Sequence, residues 1–87
     1  MTAAQRIAAL DDMPAMELIS RTDATLRQLA SVMNEETVLL RAGHHRDAMP
    51  VTAEKTRLAQ DYVMLSRAVQ RQLDRLQAEV PDGLTAL

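Results

Sequence analysis

The alternation of apolar and polar residues along this chain is helical almost throughout. From Ala15 to Ala42 no breaker interrupts it, and Ile19, Thr22, Leu26, Leu29, Met33, Glu36, Leu40 and Gly43 follow one another at spacings of three and four. That is a heptad register with two polar members, Thr22 and Glu36. Leu18, Val32 and Leu39 widen the stripe on one flank, as in a bundle helix rather than a narrow zipper seam. Glu17–Arg21 and Asp23–Arg27 stand four apart, in the orientation that favours an ion pair on a helix surface. A second stripe runs through Leu58, Tyr62, Leu65, Val69, Leu73, Leu76 and Val80. Its mean spacing of about 3.7 residues describes a nearly straight amphipathic helix.

Punctuation residues divide these stripes. Thr2 and Gln5 have the spacing of a capping box, so residues 1–12 read as a short N-terminal helix or arm. Asp11, Asp12 and Pro14 suit a fresh helix start, which places the first long helix at 14–42. Gly43 fits the left-handed residue that closes a helix. Pro50 pushes Met49 toward an extended backbone, and Thr52 with Glu54 resembles an N-cap and acidic first turn. The segment 43–51 is therefore predicted as a turn, 52–80 as the second long helix, and 81–87 as a tail. The expectation is a single all-α domain, an antiparallel hairpin of two helices, each about 42 Å long.

Composition supports that class. The chain has 87 residues, with one aromatic (Tyr62), two glycines, three prolines and no cysteine. Few breakers and few β-branched or aromatic residues favour helix over sheet. Without cysteine there is no disulfide framework and no thiolate metal site. No run approaches the roughly 20 apolar residues of a membrane span, and the N-terminus lacks a signal-peptide h-region, so the expected location is the cytoplasm and no membrane insertion is expected. A net charge of −2 argues against nucleic acid as a partner. The ladder Arg67, Arg71, Arg75 reads as a solvated polar face, since no aromatics accompany it for base stacking.

Candidate chemistry is sparse. His44 and His45 are adjacent, diverge in most backbone conformations, and have only Asp47 nearby, so they read as turn residues rather than a metal site. Glu35 and Glu36 diverge by about 100° on a helix and do not make a paired acid–base site. No catalytic residue, cofactor or metal site is assigned. Met33 reads as core, whereas Met13, Met16 and Met64 lie near helix edges, where methionine serves either packing or adaptable binding. A two-helix hairpin cannot cover both sides of its apolar stripes, so surface is left for self-association or for a partner.

One run of residues resembles a known family. Glu36-Thr-Val-Leu39-Leu40-Arg-Ala-Gly43, followed after a spacer by Glu54-Lys55-Thr-Arg-Leu58, is similar to the flagellar export chaperones of the FlgN type. The likeness covers roughly residues 18–76. It implies a cytoplasmic all-α chaperone, without catalysis or cofactor, that covers an amphipathic helix of hook-associated (hook–filament junction) proteins before secretion. It also implies delivery to the export gate. Matched position by position, Glu36, Leu39, Leu40, Gly43, Glu54, Lys55 and Leu58 are architectural. The expected client-binding ridge is Leu65, Val69, Leu73, Leu76 and Val80, recognising a helix by i, i+3, i+4, i+7 anchors. The chain is shorter than is usual for that family, and only 81–87 follows the second helix, which puts docking at the gate in doubt. The alternatives are a homodimeric four-helix bundle and a small helical regulator of another protein.

Overall fold

In the computed structural model, which describes the backbone of residues 2–79 and the side-chain surroundings of residues 2–75, the described residues form three helices. They are α1 (Ala3–Asp11), α2 (Ala15–Arg41) and α3 (His45–Glu79). The chain is all-α, with the two long helices packed side by side as a hairpin. α1 lies against one side of α3.

Each helix end has a local cause. The Gln5 N–H donates to Thr2 Oγ1 at 3.1 Å and the Thr2 N–H to Gln5 Oε1 at 2.8 Å, the reciprocal pair of a capping box. Pro14 occupies the N-cap of α2, and its carbonyl accepts from the Leu18 N–H at 3.0 Å. At the other end Gly43 takes φ +80°. The His44 N–H donates to the Leu39 carbonyl at 2.9 Å and the Gly43 N–H to the Leu40 carbonyl at 3.1 Å. This crossed pair is a Schellman motif, and it satisfies carbonyls that the ending helix would otherwise leave unpaired.

The connection is shorter than the predicted turn at 43–51. α3 begins at His45, so Pro50 lies inside the helix and Thr52 is not its N-cap. Packing explains the difference. Ala48 is 2% exposed and Val51 half-buried, and with Lys55 and Leu58 they continue a heptad seam onto α2. The roughly two extra turns of helix bury this seam, which outweighs the hydrogen bond that Pro50 cannot donate. Thr52 turns its hydroxyl to another use: it donates to the Glu36 carboxylate across the hairpin.

The register of α2 also differs from the predicted one. The less exposed positions are Leu18, Thr22, Thr25, Leu29, Val32, Glu36 and Leu39, again at alternating spacings of four and three. The seam is therefore rotated by one residue at alternate positions. Leu18, Val32 and Leu39 form the seam itself, whereas Ile19, Leu26, Met33 and Leu40 stand outside it at 48%, 45%, 49% and 43% exposure. Met33, expected in the core, is on the surface. On α3 the facing seam is Ala48, Val51, Lys55, Leu58, Tyr62, Leu65, Val69 and Gln72, so Gln72 stands where Leu73 was expected. The core is small: Leu18, Leu65 and Ala68 are buried together, with Leu10, Met13 and Val69 packed around them.

Candidate functional site: an open apolar face beside a polar clasp

Two of the three polar members of the α2 seam, Thr22 and Glu36, have side-chain partners. Thr22 Oγ1 donates to the Leu18 carbonyl at 2.7 Å, within its own helix. Glu36 binds α3: Lys55 Nζ donates to Glu36 Oε1 at 2.8 Å, and the Thr52 hydroxyl donates to the other carboxylate oxygen. The Lys55 ammonium, and then the Thr52 hydroxyl, hold the Glu36 carboxyl below its ordinary value of 4.5, against an opposing effect of partial burial. A half-buried ion pair at one level of an apolar seam penalises every sliding of the helices that would separate its charges.

The clasp and its surroundings draw on residues of the run 36–58. Glu36 and Lys55 pair across the hairpin, Leu39 and Leu58 face inward, and Gly43 makes the corner. Leu40 and Glu54 stay outside this group: Leu40 is 43% exposed, and Glu54 contacts Arg57 at 3.5 Å on the surface.

The expected client ridge on α3 is divided. Leu65 is buried at 8% exposure and Val69 packs against the core, so both are committed within the chain. Leu73 is 42% exposed. The Leu76 side chain and Val80 lie outside the described residues.

A different surface is open. The hairpin has two long sides, and α1 occupies one of them. Arg6 pairs with Asp61 at 3.4 Å, and Arg71 Nε donates to Asp11 Oδ1 at 2.8 Å. Gln72 Nε2 donates to the Met13 carbonyl at 2.7 Å, and Arg75 donates to the Asp11 carbonyl at 3.2 Å. Two members of the arginine ladder thus hold the C-terminal end of α1, where a cation favours the helix dipole. Leu10 and Met13 reach the core, and a cavity of about 470 Å³ remains under α1, lined in part by Thr25, Met64 and Leu65.

The other long side has no such cover among the described residues. Helical geometry places Ile19, Leu26, Met33 and Leu40 of α2 in one row along it. Thr52, Ala59, Ser66 and Leu73 of α3 make the adjoining row, with Val63 next to them at 44% exposure. Grooves between these rows are lined by Leu29, Met33, Ala59 and Val63 in the middle and by Leu18, Ile19, Val69 and Leu73 at one end. A further groove, bounded by Leu40, Met49 and Thr52, lies by the corner. On the outermost rows (Met16, Asp23, Ala30 and Thr37 of α2; Met49, Thr56, Val63 and Gln70 of α3) Asp23 is the one ionisable residue, and Arg27 pairs with it at 2.9 Å. The side toward α1 carries Glu17, Arg21, Glu35, Glu54, Arg57 and Asp61.

The two histidines sit at the corner. His44 Nδ1 is 3.7 Å from Asp47 and both side chains are exposed. Among the described residues no three His, Asp or Glu side chains converge as metal ligands would. No helix among them is long and apolar enough to cross a membrane.

The open face could have been found from sequence by one signal. Two rows, Leu18/Thr25/Val32/Leu39 with three apolar members and Ile19/Leu26/Met33/Leu40 with four, share the partners Thr22, Leu29 and Glu36, so whichever row enters the hairpin leaves the other outside. No family model, curated protein or solved structure matches the chain.

Proposed function

We propose that this protein is a cytoplasmic flagellar export chaperone: a non-catalytic helical hairpin that receives an amphipathic helix of hook-associated proteins, keeps it from assembling prematurely, and hands it on for secretion. The observation that carries this reading is the open face. A row of four large apolar side chains at seven-residue spacing, with Val63 and Leu73 beside it, leaves about half of each side chain in water. Exposed apolar surface arranged in this way has the shape of a helix-in-groove site, with anchors matching the i, i+3, i+4, i+7 face of an incoming helix. The likeness of the Glu36–Leu58 run to the FlgN-type chaperones points to the kind of client. The client surface is moved from the α3 ridge to the row Ile19, Leu26, Met33, Leu40, because Leu65 and Val69 already pack inside the hairpin.

The test is to mix the purified chain with the hook–filament junction proteins of the same cell and measure complex mass by light scattering. A 1:1 complex that forms with the native chain and is lost with Leu26→Glu/Met33→Glu supports the reading. Absence of any complex with these proteins at tens of micromolar refutes it.

A further inference from the structure

We infer that, without a client, the open face is closed by a second copy of this chain, in a two-fold four-helix bundle with both corners at the same end. The inference rests on the face itself and holds whether or not the client is a flagellar protein.

Three properties of the face point to a second copy. The first is charge. An isologous interface brings a surface against itself, so any uncompensated charge near the axis meets its own kind. On this face Asp23 is paired with Arg27 and Lys55, which lines the middle groove, is paired with Glu36, leaving His45 at the corner groove, whereas the opposite side is dense in charge of both signs. The second is size. α2 spans about 40 Å, and two helices side by side are about 20 Å across, so the face offers roughly 800 Å² per copy, the area of a standard specific interface. That is about one-eighth of the 6465 Å² of surface on the chain.

The third is shape, and it selects the arrangement. The α2 row is large (Ile19, Leu26, Met33, Leu40), and the α3 row beside it is small at three levels (Thr52, Ala59, Ser66) and large only at Leu73. With the two-fold axis parallel to the helices, α2 of one copy lies over α3 of the other and runs antiparallel to it. Leu26, Met33 and Leu40 then drop onto small side chains, and Ile19 meets Leu73 at the end of the row. Levels match too, because Met33 shares one groove with Thr56 and Ala59 within a chain. An axis along the helices keeps every residue at its own height, so Met33 of one copy meets the Thr56–Ala59 stretch of its partner. With the axis across the helices instead, α2 would meet α2 and the large side chains would collide.

Sedimentation equilibrium tests the association. The native chain at tens of micromolar is expected at twice its 9.7 kDa mass. Leu26→Glu/Met33→Glu is expected at the single-chain mass with its helical circular dichroism retained. A native chain that stays at single-chain mass up to several hundred micromolar overturns the inference. Cross-linking tests the arrangement independently of any charge substitution, and the chain has no cysteine of its own to interfere. Under a mild oxidant, Met33→Cys mixed with Thr56→Cys is expected to give a disulfide-linked dimer, while Met33→Cys alone gives little. Strong self-linking of Met33→Cys, with no gain on mixing, overturns the same-end geometry.

Discussion

Replacing one leucine of α2 at a time separates the observed packing from the register that spacing alone suggests. Leu18 and Leu26 are chemically identical, lie on one helix and differ by eight residues. Leu18 is fully buried against Leu65 and Ala68, whereas Leu26 is 45% exposed. Changing leucine to alanine removes three carbons, or about 2.4 kcal/mol of transfer free energy at ~0.8 kcal/mol per buried group. At Leu18 the whole of that is lost. A cavity contribution of about 24 cal/mol per Å³ adds to it wherever the helices fail to close in, so the expected cost is about 2.4 to 4 kcal/mol. At Leu26 roughly half the side chain is already in water, and the cost falls to about 1.3 kcal/mol with no closed cavity to add. The assay is urea unfolding followed by circular dichroism, at the lowest workable concentration so that association contributes least. A hairpin of this size holds only a few kcal/mol in total, so Leu18→Ala is expected to leave the chain largely unfolded at 37 °C. A Leu26→Ala cost equal to or above that of Leu18→Ala would refute the assignment of the seam.

Three other expectations follow from local geometry. Folding depresses the Glu36 pKa, so its stabilising contribution is complete above the unfolded value of 4.5 and disappears as pH falls through the lower folded value. Unfolding curves of the native chain and Glu36→Gln should therefore differ at pH 7 and converge in that acidic window; a constant difference across pH contradicts the clasp. Pro50→Ala restores an N–H inside α3 and is expected to stabilise the chain by about 1 to 3 kcal/mol, whereas a proline that belonged to a turn ahead of a Thr52 cap would give no gain. Gly43 has φ +80° and open space where a Cβ would stand, so Gly43→Ala should cost about 1 kcal/mol from backbone strain alone, and Gly43→Asn less. Thermal unfolding of both variants checks this, and a stabilising Gly43→Ala would exclude the left-handed corner.

The parts of the fold that short-range chemistry decides were legible in the chain. Thr2 and Gln5 cap α1 through side chains three residues apart, Gly43 ends α2, and the Glu17–Arg21 and Asp23–Arg27 pairs form at 3.2 and 2.9 Å. The parts decided between helices were not. Spacing cannot choose between the Leu18 and Ile19 rows, because both keep heptad phase with Thr22, Leu29 and Glu36; contact with Leu65 and Ala68 makes the choice. Pro50 and Thr52 carry the marks of a helix start, and the burial of Ala48 overrides them. The expected client ridge is divided for the same reason. Leu65 and Val69 complete the seam on α3, Leu73 stays exposed, and a second, surplus apolar row lies on α2.

The central claim is that the open apolar face of the hairpin is where a partner helix binds. Titration calorimetry of the hook–filament junction proteins into two double variants tests it most directly. Leu26→Glu/Met33→Glu places two carboxylates on the open face, and Glu17→Lys/Arg21→Glu alters the opposite, charged side while preserving the i,i+4 pairing. The account predicts at least a 100-fold loss of affinity for the first, about 2.7 kcal/mol, and less than a threefold change for the second. Equal losses, or a larger loss on the charged side, would contradict it.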